Sequence, residues 1–263
     1  MSGGNENGGG DGGIAVVTGA GRGLGRALAV ELVARGCTVA GLGRSAADLA
    51  ETSALSTGPG AFHALTCDVS DYDSVRNAFA QIRALGPVAI LINNAAVYPR
   101  RDFLDETAES FMQSIATNLG GMVACSRLAL DDMVSRGTGR IVNVTSFADL
   151  APICASSAYS VSKGAGRIFT RAMVADLEGR FPGIVVSDWI PGALRTTMGL
   201  PDGIEPEDAA RWGAELALSQ HPSMNGTLWE RNNEVLAPQS LKRRLFNRLL
   251  MRRTPAPRML SAA

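Results

Sequence analysis

Histidine and cysteine are scarce in this 263-residue chain. There are two histidines, His63 and His221, and four cysteines, Cys37, Cys67, Cys125 and Cys154. The cysteines are scattered without a CxxC and the histidines have no partners at ligand spacing, so neither a zinc site nor a redox dithiol is supported. Each cysteine reads as a small core or pocket residue in a reducing cytoplasm. No GxSxG elbow occurs, which leaves a hydrolase triad without support. No apolar run reaches the length of a membrane span. The opening MSGGNENGGGDGG has neither a basic start nor an apolar stretch. It therefore reads as a disordered tail over residues 1–12 rather than a signal peptide. The 25 basic and 25 acidic side chains balance overall, but no acid follows Glu234 while seven basic residues do. The first 238 residues thus carry 18 basic against 25 acidic side chains. An acidic body argues against nucleic acid as the main partner.

Apolar residues, at 46%, can fill a substantial core. Short apolar runs alternate with helical periodicity along the whole chain. Strands are expected at 14–17, 37–43, 61–69, 88–93, 140–146, 184–190 and, short, at 227–230. Helices are expected from Leu24, from Ser45 to about Leu55, from the Ser70-Asp71 cap to Leu85, and over 108–135, 158–177 and 206–219. The run VAILIN is almost wholly apolar, as a strand buried on both faces should be. Unbroken strand–helix alternation predicts one α/β domain, a Rossmann-like doubly wound parallel sheet of about seven strands, over residues 13–238. Ligands of such sheets bind at the carboxyl edge of the strands.

The residues that gather at this edge carry the chemistry. Strand one runs into Gly19, Gly21, Gly23 and Gly25 in the order TGxxxGxG, with Arg22 and Leu24 between. Strand, glycine turn and helix together present backbone N–H groups to a pyrophosphate. Strand two ends in Gly43-Arg44-Ser45, strand three in Asp68-Val69, and strand four in Asn93-Asn94-Ala95-Ala96. Strand five brings Ser146, the next helix opens with Tyr159 and Lys163, and strand six leads to Pro191, Gly192 and Thr196. Tyr159 and Lys163 stand at i and i+4, so both project from one helical face. An ammonium there is expected to stabilise the phenolate and lower a phenol pKa that is ordinarily about 10. Such a tyrosine can give a proton to a carbonyl oxygen or take one from an alcohol, and Ser146 can donate a hydrogen bond to the same oxygen.

TGxxxGxG, NNAA, the Ser146–Tyr159 spacing, YxxxK and PGxxxT stand in one register from Ile14 to Thr196. In this the chain resembles the short-chain dehydrogenase/reductase family in its single-domain form. The resemblance implies a nicotinamide cofactor whose ribose hydroxyls are held by Lys163. It also implies an asparagine on the long helix that supports a water relay to that lysine. Asn118 sits at that place, where a locally bonded helical asparagine is the alternative. By the same resemblance Asp68 reads the adenine amino group and Val69 offers a backbone contact. Asn94 and Ala95 approach the adenosine ribose, and Pro191, Gly192 and Thr196 meet the carboxamide. Ala96 departs from the glycine commoner there. Where an NAD-preferring site carries an acid at the end of strand two, this register has Gly43, followed by Arg44 and Ser45. Glycine makes room for a 2′-phosphate and a guanidinium can grip it, with Arg22 in reach, so NADP(H) is the expected cofactor.

The stretches flanking the expected substrate, Ala148 to Leu150, Ile153-Cys154 and Thr197 to Glu205, are mostly apolar and suit a hydrophobic ketone or secondary alcohol. Asp149 is either a substrate contact or a solvated loop acid. Arg100 and Arg101 either attract an anionic substrate or are simply exposed. The expectation is therefore a cytoplasmic NADP(H)-dependent oxidoreductase of a small-molecule carbonyl/alcohol pair, with an NAD-dependent alcohol dehydrogenase or a non-catalytic nucleotide sensor as alternatives. Family members associate through the helices at 108–135 and 158–177, so a homo-oligomer, dimer or tetramer, is implied. In residues 239–263, the stretch QSLKRRLFNRLLMRR carries an apolar stripe opposite arginines. It could lie on a membrane surface or pack on a neighbouring subunit or over the cleft.

Overall fold

The computed structural model describes residues 12–236 and 256–261. The expected tail up to residue 11 and the basic amphipathic stretch Gln239 to Arg253 lie outside the described residues. Eight strands form one sheet in the order β3-β2-β1-β4-β5-β6-β7-β8. They are β1 Ile14–Thr18, β2 Thr38–Gly43, β3 Ala61–Thr66, β4 Val88–Asn93, β5 Thr138–Val144, β6 Gly183–Ile190, β7 Thr227–Glu230 and β8 Asn233–Val235. The first seven pair in parallel, and β8 returns antiparallel on β7. This last hairpin is one strand more than the sequence pattern reveals; three residues are too short for a periodic signal. Met259 bridges Asn233, and Leu260 is buried. Residues 256–261 therefore pack back on the domain.

Period-two alternation divides the core. Ala15 and Val17 face one layer, with α1 (Gly23–Ala34) and α7 (Pro206–Leu218). Ile14 and Val16 face the other, with α3 (Tyr72–Leu85), α5 (Gly121–Arg136) and α6 (Ser157–Leu177). Helix α2 (Ala46–Leu55) adds Leu49 to the first layer. β1 and β4, at the centre, are buried along their whole length. This places the β1 loop between the ends of β2 and β4, where the strand order reverses.

The long helix expected over 108–135 is interrupted. Helix α4 (Ala108–Ile115) passes through a π-turn, Ala116–Gly120, before α5 begins. The Gly121 N–H reaches back to the Ala116 carbonyl. π-Turns of this kind occur often at functional sites, and this one carries Asn118. Among the described residues, no helix is long and apolar enough to cross a membrane, and no group of three His, Cys, Asp or Glu side chains could hold a metal ion.

Candidate active site

A cleft of about 770 Å³ runs along the carboxyl edge, from the β1 loop to Tyr159. Every expected site residue except Asn118 lines it. At one end lies the glycine cradle. Gly19 and Gly23 have left-handed backbones, φ 68° and 52°. A Cβ on Gly25 would stand 2.1 Å from the Gly19 carbonyl oxygen and 2.5 Å from Asn94 Nδ2. Arg22 occupies the N-cap of α1 with no side-chain cap hydrogen bond, so the first N–H groups of α1 remain open toward the cleft. A Cβ-free loop at an uncapped helix N-terminus fits a pyrophosphate. The loop is fastened to β4 through Thr18. Its Oγ1 accepts from the N–H groups of Asn94 and Ala95, both at 2.9 Å, and its carbonyl accepts from Asn94 Nδ2 at 2.9 Å.

Beside the cradle, Gly43, Arg44 and Ser45 line the cleft. Arg22 and Arg44 are both exposed. The Ser45 oxygen accepts from Asp48 N–H as the cap of α2. Asp68 accepts from the N–H and hydroxyl of Ser70 at 2.9 and 2.7 Å. Burial raises its pKa, but the Ser70 hydrogen bonds and the Arg44 charge outweigh this and hold it below the usual value. Asp68 thus braces a turn while one side of it remains in the cleft. Asp48, which sequence reasoning passed over, lines the same end. Nothing in its spacing sets it apart from an ordinary first-turn acid.

Ser146, Tyr159 and Lys163 meet at the far end. Ser146 begins a single 3-10 turn, and its oxygen accepts from Ala148 N–H at 3.2 Å. Lys163 is buried, its Nζ 5.6 Å from the Tyr159 ring centroid and donating to the Val144 carbonyl at 2.8 Å. Burial pushes the ammonium down to about 8, with the Asp188 carboxylate pulling the other way. The phenol departs from expectation. Burial holds Tyr159 above its ordinary value, although a hydrogen bond with Ser146 lowers it and the neighbouring Tyr98 adds to the rise. Loss of water around the phenol outweighs the Ser146 hydrogen bond, and the head of Lys163 is turned to a main-chain carbonyl. Asn118, also buried, is fully bonded by its side chain. Oδ1 accepts from Val97 N–H at 2.7 Å, and Nδ2 donates to the Val97 carbonyl at 3.0 Å and to Ser162 Oγ at 2.9 Å. Its carboxamide therefore pins the segment after β4 onto α6.

Two ambiguous readings are resolved by packing. Asp149 is neither solvated nor turned to the cleft. It pairs with Arg167 at 2.7 Å, their side chains only 10% and 14% exposed, and so clamps the turn after Ser146 to α6. Arg100 and Arg101 are engaged, Arg100 with the carbonyls of Met198 and Gly199 and Arg101 with Glu106 at 2.9 Å. Gly192, with φ 94°, turns the chain after β6. Thr196 faces Gly23 across the cleft, its Cγ2 3.3 Å from where a Gly23 Cβ would stand. Tyr98, Thr117, Phe147, Ser156, Glu230 and Arg231 also line the cleft. None carries a motif that would single it out.

A family model described as short chain dehydrogenase matches residues 13–203. Galactitol 2-dehydrogenase (L-tagatose-forming) of Cereibacter sphaeroides is 36% identical over 205 residues, 77% of this chain and 79% of that protein. Carbonyl reductase [NADPH] 2 of Sus scrofa is 33% identical over 198 residues, covering 75% and 78%. A solved short chain dehydrogenase/reductase family protein superposes with a TM-score of 0.75 at 30% identity, over 83% of this chain and 95% of that one.

Proposed function

The chain belongs to the short-chain dehydrogenase family, an oxidoreductase family using nicotinamide cofactors, and from that footing we propose that it is an NADP(H)-dependent enzyme interconverting a ketone and a secondary alcohol on a largely apolar substrate. The observation that carries this reading is the meeting of Ser146, Tyr159 and Lys163 at one end of a cleft whose other end is the glycine cradle flanked by Arg22 and Arg44. When bound, the nicotinamide supplies or accepts the hydride at the carbonyl carbon. Ser146 donates a hydrogen bond to the substrate oxygen and holds it. Tyr159 gives that oxygen its proton in reduction and takes it back in oxidation. Lys163 places a positive charge behind the phenol and meets the ribose hydroxyls. The Asn118 carboxamide is committed to Val97 and Ser162, so its part in a water relay falls to its main-chain carbonyl. Asp68 and Val69 frame the adenine, Asn94 and Ala95 the adenosine ribose, and Pro191, Gly192 and Thr196 the carboxamide.

The NADP(H) preference rests on Gly43 in place of an acid and on two arginines with a hydroxyl at Ser45. Asp48 opposes it. The substrate end is walled by Tyr98, Phe147, Ile153 and Met198, and the nearby charges are engaged by protein partners, Asp149 by Arg167, Arg100 by the Met198 and Gly199 carbonyls and Arg101 by Glu106. This favours an uncharged, apolar ketone. Met112, Val123, Val161 and Ile168 are exposed on α4, α5 and α6, apolar surface suited to a second copy of the chain.

Fluorescence titration with NADPH and NADH, on the protein and on Arg44→Ala and Asp48→Asn, tests the cofactor assignment. Tighter NADPH is expected, with a selective loss in Arg44→Ala of roughly 1.5–3 kcal/mol and a selective gain in Asp48→Asn. NADH bound as tightly as NADPH would move the reading to an NAD-dependent alcohol dehydrogenase, and failure to bind either would move it to a non-catalytic protein.

A further inference from the structure

Tyr98 follows NNAA outside any helix or strand, yet its ring lies on that of Tyr159. The centroids are 4.6 Å apart and the planes 25° from parallel. The Arg100 guanidinium lies over the same Tyr98 ring, 5.5 Å from its centroid. Arg100 Nη2 then donates to the carbonyls of Met198 and Gly199, both at 2.9 Å, and both of those residues line the cleft. Its backbone is left-handed, φ 52°, a conformation unfavourable to a residue with a Cβ. Such a conformation persists only where the surroundings enforce it, and here the two carbonyl bonds and the tyrosine ring do so. The segment that Arg100 grips also carries Thr196, which faces the glycine cradle.

We propose that Tyr98 and Arg100 form a latch that fixes the angle of the Tyr159 phenol and ties it to the 198–199 segment, making Tyr98 a positioning residue for proton transfer. This rests on the reading of Tyr159 as the general acid/base. Helix α6 fixes the Cα of Tyr159 but leaves its two side-chain torsions to local packing. The groups that face the phenol are Ser146 from the turn after β5, Tyr98 from the segment after β4, and Lys163 one turn along α6. Of these, Tyr98 supplies the broad apolar surface that keeps the ring from rotating and keeps water from it. Aromatic pairs at this separation are attractive beyond their area, and the guanidinium adds a cation–π contact to the Tyr98 ring.

The chain has only three tyrosines, and the third, Tyr72, is exposed, so in a Tyr72→Phe background the Tyr98 variants leave Tyr159 as the one tyrosine that tyrosinate difference absorbance reads, with Tyr98→Phe as the reference. The titration is run without cofactor on Tyr98→Phe, Tyr98→Ala and Arg100→Met combined with Tyr98→Phe, with kcat and the NADPH dissociation constant measured for each and for the unmutated protein. In Tyr98→Ala, water reaches the phenol, so the Tyr159 titration moves down toward the ordinary value. The kcat falls about 10- to 100-fold, as misplacement of a reacting group by an ångström predicts, while NADPH affinity is kept. Tyr98→Phe, which keeps the ring, rescues both readouts. Arg100→Met moves them in the same direction as Tyr98→Ala but less far. If Tyr98→Ala does not fold, Tyr98→Leu replaces it. Unchanged titration and kcat in Tyr98→Ala, or equal impairment in Tyr98→Phe, would overturn the latch. Absence of turnover in the unmutated protein would instead overturn the functional reading, and the titration would still judge the latch.

Discussion

Replacing Lys163 by methionine should stabilise the protein at neutral pH while removing its activity. The stem of Lys163 is packed in α6, and methionine keeps most of its volume. Burial lowers its pKa from 10.5 to about 8. A lysine whose folded value lies below its unfolded value charges less readily in the folded state. The cost is therefore fully present below about pH 8 and fades as the pH rises toward 10.5. The gap corresponds to roughly 3 kcal/mol. The lost hydrogen bond to the Val144 carbonyl offsets about 1 kcal/mol of this. A net gain of about 2 kcal/mol raises Tm by roughly 4–8 °C at pH 7 for a domain of this size. Thermal melts of the cofactor-free protein and of Lys163→Met across pH 7 to 11 read this directly. The difference should shrink above pH 8 and change sign near pH 10, and near pH 11 only the lost hydrogen bond remains. A destabilised variant at pH 7, or a Tm difference independent of pH, would refute the assignment of Lys163 as a buried ammonium held against its own solvation.

Two further substitutions probe the frame of the site. Asp149→Ala strands the Arg167 guanidinium in a nearly dry site, and loss of one partner of a buried pair costs about 3–5 kcal/mol. Denaturant unfolding should show this, with Arg167→Met in the same background recovering part of the loss. Gly25→Ala puts a Cβ 2.1 Å from the Gly19 carbonyl oxygen, so the loop must open. NADPH affinity should fall at least tenfold, about 1.4 kcal/mol or more, in a titration where the fold is checked by circular dichroism.

The element order and the site edge were legible because the signals that mark them are local. Apolar runs such as VAILIN announce buried strands, and the glycines of the first loop announce a close backbone approach. Ser146, Tyr159 and Lys163 come together because a parallel sheet gathers its strand ends on one edge. What stayed hidden depends on partners distant in sequence. The run ATNLG has no feature of a π-turn, which forms where Asn118 is drawn to both main-chain groups of Val97. Asp149 looks like any loop acid until α6 brings Arg167 to it. The raised phenol of Tyr159 comes from burial that only the assembled site creates, and the stack on Tyr98 joins two loops that the sequence leaves unrelated. The short eighth strand pairs with β7 and is held from its other side by residues 256–261, with Arg258 gripping Glu234 through two bonds of 2.7 Å.

The role proposed for Tyr159 is to move the proton that accompanies hydride transfer to a ketone. The most direct test is to follow NADPH oxidation with a panel of apolar ketones, using the protein and Tyr159→Phe, with NADPH binding titrated in both. Turnover by the unmutated protein is expected, with a loss of about 10²- to 10⁴-fold in kcat for Tyr159→Phe, the span that general acid catalysis supplies, at undiminished NADPH affinity. Turnover that survives the loss of the Tyr159 hydroxyl would contradict it.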